Sequence, residues 1–279
     1  MPSLAIPKGS TVLTTRANSL LGSHIAKQFL KYSYKLSGTF NKSYREGKFK
    51  LVKVSNMTAK GAFNKAAKGV NTVVHVASIL TLNPNPNNII PSAIIGAINA
   101  LQSVFAAPSV KRFVFTSSSS TIKSADNAPD AEHRAERPDL IINTMLPNFN
   151  FSGSINPVNQ GFPNSSSIPI TLYNREVTQV FHYLNKQHYI HTNNSIRLHV
   201  AAATFKNVKD QQIFSFTEKT FPDNFSSKLS EKTIAPSGKA EDLFRKLGRP
   251  GWTSLEDSIV KSIKDLQSAS DKAKIYLYN

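Results

Sequence analysis

The chain has 279 residues, 40% of them hydrophobic, enough to bury the core of one large α/β domain with or without a smaller annex. It contains no cysteine, which excludes a disulfide framework, a thiolate zinc site and a cysteine nucleophile. Its 34 Lys+Arg against 17 Asp+Glu give a net charge of +17, although charged residues total only 18%; average usage is about 25%, so the shortfall falls on the acids.

The first element is the apolar β-type run Thr11–Thr15, which passes through a short turn into an amphipathic helix with Leu20, Leu21, Ile25, Ala26 and Phe29 on a helical period. A strand, turn and helix in this order can hold a phosphate on the helix N-terminus. Tyr34–Thr39 and Phe49–Val54 read as the second and third strands. The link NKSYREGK between them is too short for the crossover that parallel neighbours need, so it spans the sheet in extended form or this edge is distorted. The densest basic segment is Lys42, Arg45, Lys48, Lys50 and Lys53, with Tyr44 and Phe49 interleaved, a composition that suits a nucleic-acid strand. No recognition motif accompanies it, and alternation in FKLVKV more simply gives one solvated face, so no nucleic-acid partner is expected.

Thr72–Val76 is a continuous apolar strand of the buried parallel type, and Pro91–Ala107 carries Ile94, Ile95, Ile98, Leu101, Val104 and Phe105 on helical spacing. Lys111–Thr116 and Leu140–Leu146 supply two more strands, and strands alternating with helical segments predict an α/β fold with a doubly wound parallel sheet. Ser117–Pro138 is polar and reads as a loop with at most a short helix. Beyond Pro147 the sequence turns rich in Asn, Pro, Ser and Gly, so residues 1–147 are expected to form the core and 148–279 a small C-terminal, partly helical region. Helices are expected near Thr171–Leu184 and Ser195–Thr204, over KAEDLFRKLG, and from Thr253, where Thr253-x-x-Glu256 fits a capping box. The start MPSLAIPKGST lacks an apolar signal region, and no apolar stretch reaches spanning length without a polar break. The expectation is a cytoplasmic protein with no membrane partner.

The patches GSTVLTTRANSLLGSHIA, GVNTVVHVAS, SVKRFVFTSSSS, INTMLPNFNFSG, IRLHVAAA and LGRPGWTSLEDSI run in order from near residue 9 to near residue 263. Together they resemble the extended short-chain dehydrogenase/reductase family, and within it the fungal NAD(P)-dependent epimerase/dehydratase-like reductases related to dihydroflavonol reductase and to yeast-type aldehyde and ketone reductases. The resemblance implies a Rossmann-type sheet, NADP or NAD as cofactor, and reduction of a small ketone or aldehyde in secondary metabolism. It places the cofactor on Thr15, Ser19, Leu20, Leu21 and Gly22, on Asn41 and Lys42 after the second strand, on Asn56 after the third, and on His75, Ala77 and Ser78 at the fourth. The family's phosphate loop has the form T-G-x-x-G-x-x-G; here Arg16 and Ser19 replace two glycines and Gly22 matches the third. A residue with a Cβ resists a left-handed turn and fills the space a phosphate needs, so Arg16 is expected to obstruct, although a guanidinium can also pair with phosphate.

Catalysis in this family resembles a Ser, Tyr-x-x-x-Lys arrangement: tyrosine protonates the carbonyl oxygen as hydride arrives, lysine lowers the tyrosine pKa, and serine orients the carbonyl. Ser118 matches the serine, with Ser119 the other candidate. Ser117–Pro138 contains no tyrosine, Lys123 sits too near the serine strand, and the Tyr44 and Lys48 pair precedes the third strand at the wrong edge of the sheet. The departures imply a catalytically impaired or inactive oxidoreductase-like member, a pseudoenzyme, with cofactor binding weak or lost. Two alternatives stay open: a non-redox enzyme that keeps NAD(P) as a structural element and uses Ser118 and His75 as polar groups, and a basic binding or scaffold protein. His188-x-x-His191 has metal-like spacing but lacks a third ligand, so no metal is expected. His191 reads as a surface residue, His199 as structural, and Phe244 and Trp252 as helix-packing anchors.

Overall fold

A computed structural model describes residues 3–37, 48–79, 85–119, 136–176, 188–216 and 237–277. The elements are β1 (Thr11–Thr14), α1 (Leu20–Lys31), β2 (Lys35–Ser37), β3 (Phe49–Lys50), α2 (Asn64–Ala67), β4 (Thr72–His75), α3 (Ile90–Phe105), β5 (Arg112–Thr116), β6 (Ile141–Pro147), β7 (Phe149–Phe151), α4 (Pro157–Gln160), α5 (Ser167–Tyr173), β8 (Tyr189–His191), α6 (Thr192–Thr204), β9 (Gln212–Ser215), α7 (Gly238–Lys246) and α8 (Leu255–Leu277). Seven strands form one sheet in the order β3-β2-β1-β4-β5-β6-β9, every pairing parallel. The doubly wound α/β expectation holds.

Successive strand residues point to opposite faces of a sheet, and the core divides accordingly. Val12, Val74, Val114 and Met145 face α1, α6 and α7, packing with Ile25, Phe29, Leu198 and Phe244. Leu13, Val73 and Phe113 face the other way onto Phe63, Ala66 and Ala67 of the α2 segment and Ala100 and Val104 of α3. With helices on both faces, β4 is buried at every position, which is why TVVH reads as an unbroken apolar run. The first cluster draws on residues from Ile6 to Phe244, so one core unites the two regions expected from composition. Trp252 meets Phe244 edge-on at 4.7 Å, as anchors should.

Several boundaries move. The second and third strands shrink to Lys35–Ser37 and Phe49–Lys50; Val52 and Val54 leave the ladder and pack onto the α2 and α3 side instead. The helix expected near Thr171 begins earlier, at Ser167, and ends at Tyr173; residues 177–184 of that expectation lie outside the described residues, as do Tyr44 and most of the loop expected over 117–138. The cap of α8 is Ser254 rather than Thr253: the Asp257 N–H donates to Ser254 Oγ at 3.0 Å, while Thr253 Oγ1 turns to Asn194 Oδ1. Strand β9 and the small parallel sheet of β7 and β8 were not expected. Each is three or four residues long, too short for a period to register.

Buried polar side chains fix the far end of α6. Arg112, 2% exposed, donates to the carbonyls of Ala202 and Val208, and Asn143 donates to the same pair while accepting from the Gln211 N–H. The N-terminus is tied there too, through Ala5 N–H to the Thr204 carbonyl and Lys206 N–H to the Ser3 carbonyl.

The span Pro86–Phe105 is long and apolar enough by length and composition to cross a membrane. Here α3 lies on the sheet: Gly96, Asn99, Ala100, Ser103 and Val104 form its inner side, with the Asn99 amide donating to the carbonyls of Met57 and Ala59.

Candidate functional site

In an open parallel sheet the crevice for a ligand lies beyond the C-terminal strand ends where the winding reverses. The order places that point between β1 and β4, and the loop from Thr15 to Ser19 leads from β1 into α1 at this spot.

Thr15 is its fixed point. The hydroxyl accepts from the N–H groups of Val76 and Ala77, both at 2.9 Å, and lies 3.2 Å from His75 Nδ1. With both lone pairs taken, its proton goes to Nδ1, which sets the imidazole proton on Nε2. Among the described residues Nε2 has no hydrogen-bond partner; the ring stacks on Phe115 and meets Phe63 edge-on. Burial lowers the His75 pKa to about 4, so the ring is neutral at physiological pH. At 1% exposure it lies beneath the crevice and does not line it.

Gly22 is required by close approach. A Cβ there would lie 2.3 Å from the Arg16 carbonyl oxygen, while Ser19 caps α1 by accepting from the Gly22 N–H at 3.1 Å. Leu20 is buried and Leu21 packs against the core, so these two can meet a ligand through first-turn N–H groups, which lack helical acceptors. The end of α1 therefore keeps the donors that suit a phosphate.

Arg16 departs from expectation. It takes the left-handed conformation after all, with φ of 49°, at a cost of roughly 1 kcal/mol for a residue with a Cβ. Its guanidinium donates to the Ser78 carbonyl oxygen, bridging the loop after β1 to the segment after β4. That bridge crosses the reversal point between β1 and β4.

Ser118 and Ser119 lie one strand over, past the end of β5, both partly buried; among the described residues Ser119 Oγ has no hydrogen-bond partner. Below them, Thr116 Oγ1 lies 3.1 Å from His199 Nε2, and His199 Nδ1 donates to the Ser195 carbonyl. His199 is structural, as expected. The described tyrosines with known hydroxyl contacts are placed elsewhere: Tyr34 donates to the Ile6 carbonyl, Tyr189 to the Thr253 carbonyl, and Tyr173 accepts from Gln267. Asn56 is exposed and its Oδ1 accepts from the Thr58 N–H and hydroxyl, a local turn. Asn41 and Lys42 lie outside the described residues.

His191 corrects the sequence reading. It is 5% exposed and caps α6, its Nδ1 accepting from the Asn193 N–H. His24 of α1, whose Nε2 lies 3.1 Å from the Gly153 carbonyl, sits in the same quarter. Both have pKa values lowered by burial to about 4. Among the described residues no group of three or more His, Asp or Glu could hold a metal ion.

Residues 12–144 match the model of the NAD dependent epimerase/dehydratase family. This stretch, just under half of the chain, is similar to that family. Over longer spans the chain is 24% identical to aldehyde reductase 2 of Sporidiobolus salmonicolor, covering 91% of this chain and 95% of the relative. It is 26% identical to ketoreductase adrE of Penicillium rubens, covering 91% and 96%. Among solved structures, the NADPH complex of Gre2 from Candida albicans shares the fold with a TM-score of 0.69 at 19% identity, over 94% of this chain and 99% of that one. Vestitone reductase from alfalfa aligns with a TM-score of 0.61 at 17% identity, over 94% and 99%. The family is NAD(P)-dependent, and the resemblance drawn from the motifs is upheld.

Proposed function

We propose that this chain is a relative of NAD(P)-dependent carbonyl reductases in which hydride transfer is impaired or lost and dinucleotide binding is weakened. The observation that carries the reading is that the segment joining β5 to β6 offers no tyrosine as proton donor. Reducing a carbonyl requires a proton on its oxygen as hydride arrives, from a group whose pKa is tuned for the task. Residues 117–140, which join β5 to β6, contain no tyrosine, and the hydroxyls of Tyr34, Tyr173 and Tyr189 are engaged at other sites. His75 does not substitute, because it is neutral, buried and turned to Thr15. A serine hydroxyl can orient a carbonyl but is a poor acid.

NAD(P) would supply the hydride if bound, and in this chain its pyrophosphate would rest on the N–H groups of Leu20 and Leu21. Calorimetric titration with NADPH and NADH, paired with oxidation of NADPH in the presence of small aldehydes and ketones, tests the reading. The expected result is binding weaker than micromolar and no carbonyl-dependent oxidation. Arg16→Gly, which removes the bridge to Ser78, should tighten NADPH binding by tenfold or so, equivalent to about 1.4 kcal/mol. Tight binding with turnover by the unaltered chain would overturn the proposal.

The intact start of α1, with its Ser19 cap and Gly22, favours a second reading in which NAD(P) is kept as a structural element. Stoichiometric NADPH binding without carbonyl-dependent oxidation would select it.

A further inference from the structure

We propose that the outer side of the layer formed by α2 and α3 docks on an anionic phospholipid surface, with the protein lying on the bilayer and not spanning it. The first observation is α3, which is apolar on both sides. Its inner side packs on the sheet, yet Ile90, Ile94 and Ile98, spaced four residues apart on one ridge, are 52%, 52% and 46% exposed, with Ile95 beside them at 44%. No charged residue occurs anywhere in IPSAIIGAINALQSVF. A helix apolar all round is normally covered on both sides, and a large exposed apolar patch marks an interaction site.

The second observation is charge. From Gly47 to Ala125 the sequence contains no aspartate or glutamate. Residues of α3 and of the α2 segment share one core cluster with Leu13, Val73 and Phe113, which lie on one face of the sheet. They therefore lie side by side, and their outer sides look the same way. Lys60, Lys65 and Lys68, in and around α2, are exposed. The exposed isoleucines and the lysines of the neighbouring α2 segment provide the apolar and the electrostatic signal that interfacial binding combines, while the acids described near α3, Glu136 and Asp139, lie at its C-terminal end, where Asp139 is paired with Arg137 and Lys111. A second copy is the less favoured occupant, because a net charge of +17 opposes self-association.

The test uses the full chain in flotation with vesicles of phosphatidylcholine alone and of phosphatidylcholine mixed with phosphatidylserine. The protein should float with the mixed vesicles only, and added salt should release it. Ile94→Asp with Ile98→Asp should weaken that binding by tenfold or more, as expected for losing even about 1.4 kcal/mol of apolar insertion. Both side chains are about half exposed, and circular dichroism checks that the variant folds. Lys65→Glu with Lys68→Glu, on the exposed side of α2, should remove the preference for phosphatidylserine and serves as an independent variant. The proposal is overturned if the unaltered chain ignores mixed vesicles, if it binds both kinds equally, or if the isoleucine variant floats as well as the unaltered chain. It is also overturned if light scattering gives the mass of two copies, reduced to one by the isoleucine variant; the stripe is then a self-interface.

Discussion

Thr15 Oγ1 joins two strands through three polar contacts, and the cost of losing it follows from what it leaves behind. Thr15→Val keeps the shape but strands the N–H groups of Val76 and Ala77 and the Nδ1 of His75. A buried polar group without a partner costs about 1–3 kcal/mol, so urea unfolding should show a loss of at least about 2 kcal/mol; an unchanged midpoint would show that water replaces the hydroxyl. Gly22→Ala forces a Cβ against the Arg16 carbonyl, and overpacking of this kind costs about 1–3 kcal/mol, seen as a lower Tm. Gly22 was legible in the sequence because it matches the last glycine of the phosphate-loop form T-G-x-x-G-x-x-G that the resemblance supplied. The Arg16 bridge to Ser78 was not, since it joins residues 62 apart in sequence and depends on a backbone conformation that arginine ordinarily avoids. His191 was misread for a similar reason: a helix cap made by an imidazole follows no common capping pattern.

At the scale of elements, strands with two covered faces and helices with a clean period were readable, and α1, β4, β5 and β6 appear close to where the pattern put them. Elements whose existence depends on a neighbour were not. Strand β9 is recognisable only as the partner of β6, and β7 and β8 only as partners of each other. The start of α8 illustrates a choice between adjacent hydroxyls. Thr253 and Ser254 are both plausible caps, but Thr253 is drawn to Asn194 and leaves the helix to Ser254. Ser254→Ala should therefore cost about 1 kcal/mol, measured by thermal unfolding, and the equivalent loss at Thr253 should trace to its contact with α6 and not to helicity.

At the scale of the whole molecule, the buried His75, His191 and His199 and the partly buried His24 have pKa values lowered to about 4 from a usual 6.5. The unfolded chain takes up their protons first, so stability is held above about pH 6.5 and falls as pH drops toward 4. Each contributes about 1.4 kcal/mol per pH unit across that window. Denaturation midpoints should decline steeply between pH 6 and about 4.5, and His199→Gln should flatten part of the slope; a midpoint independent of pH there would contradict the neutral buried state. The seam at Ser3, Ala5, Thr204 and Lys206 also sets a timetable for the newborn chain. Ser3 and Ala5 bond to residues made some two hundred positions later, and at about 5–20 residues per second they wait roughly 10–40 s for their partners. During that interval β6 has no outer neighbour and the nascent chain offers an open edge, so ribosome-bound chains stalled before Thr204 should be cut readily by protease and held by chaperones, whereas those released after α7, whose Phe244 completes the core, should resist.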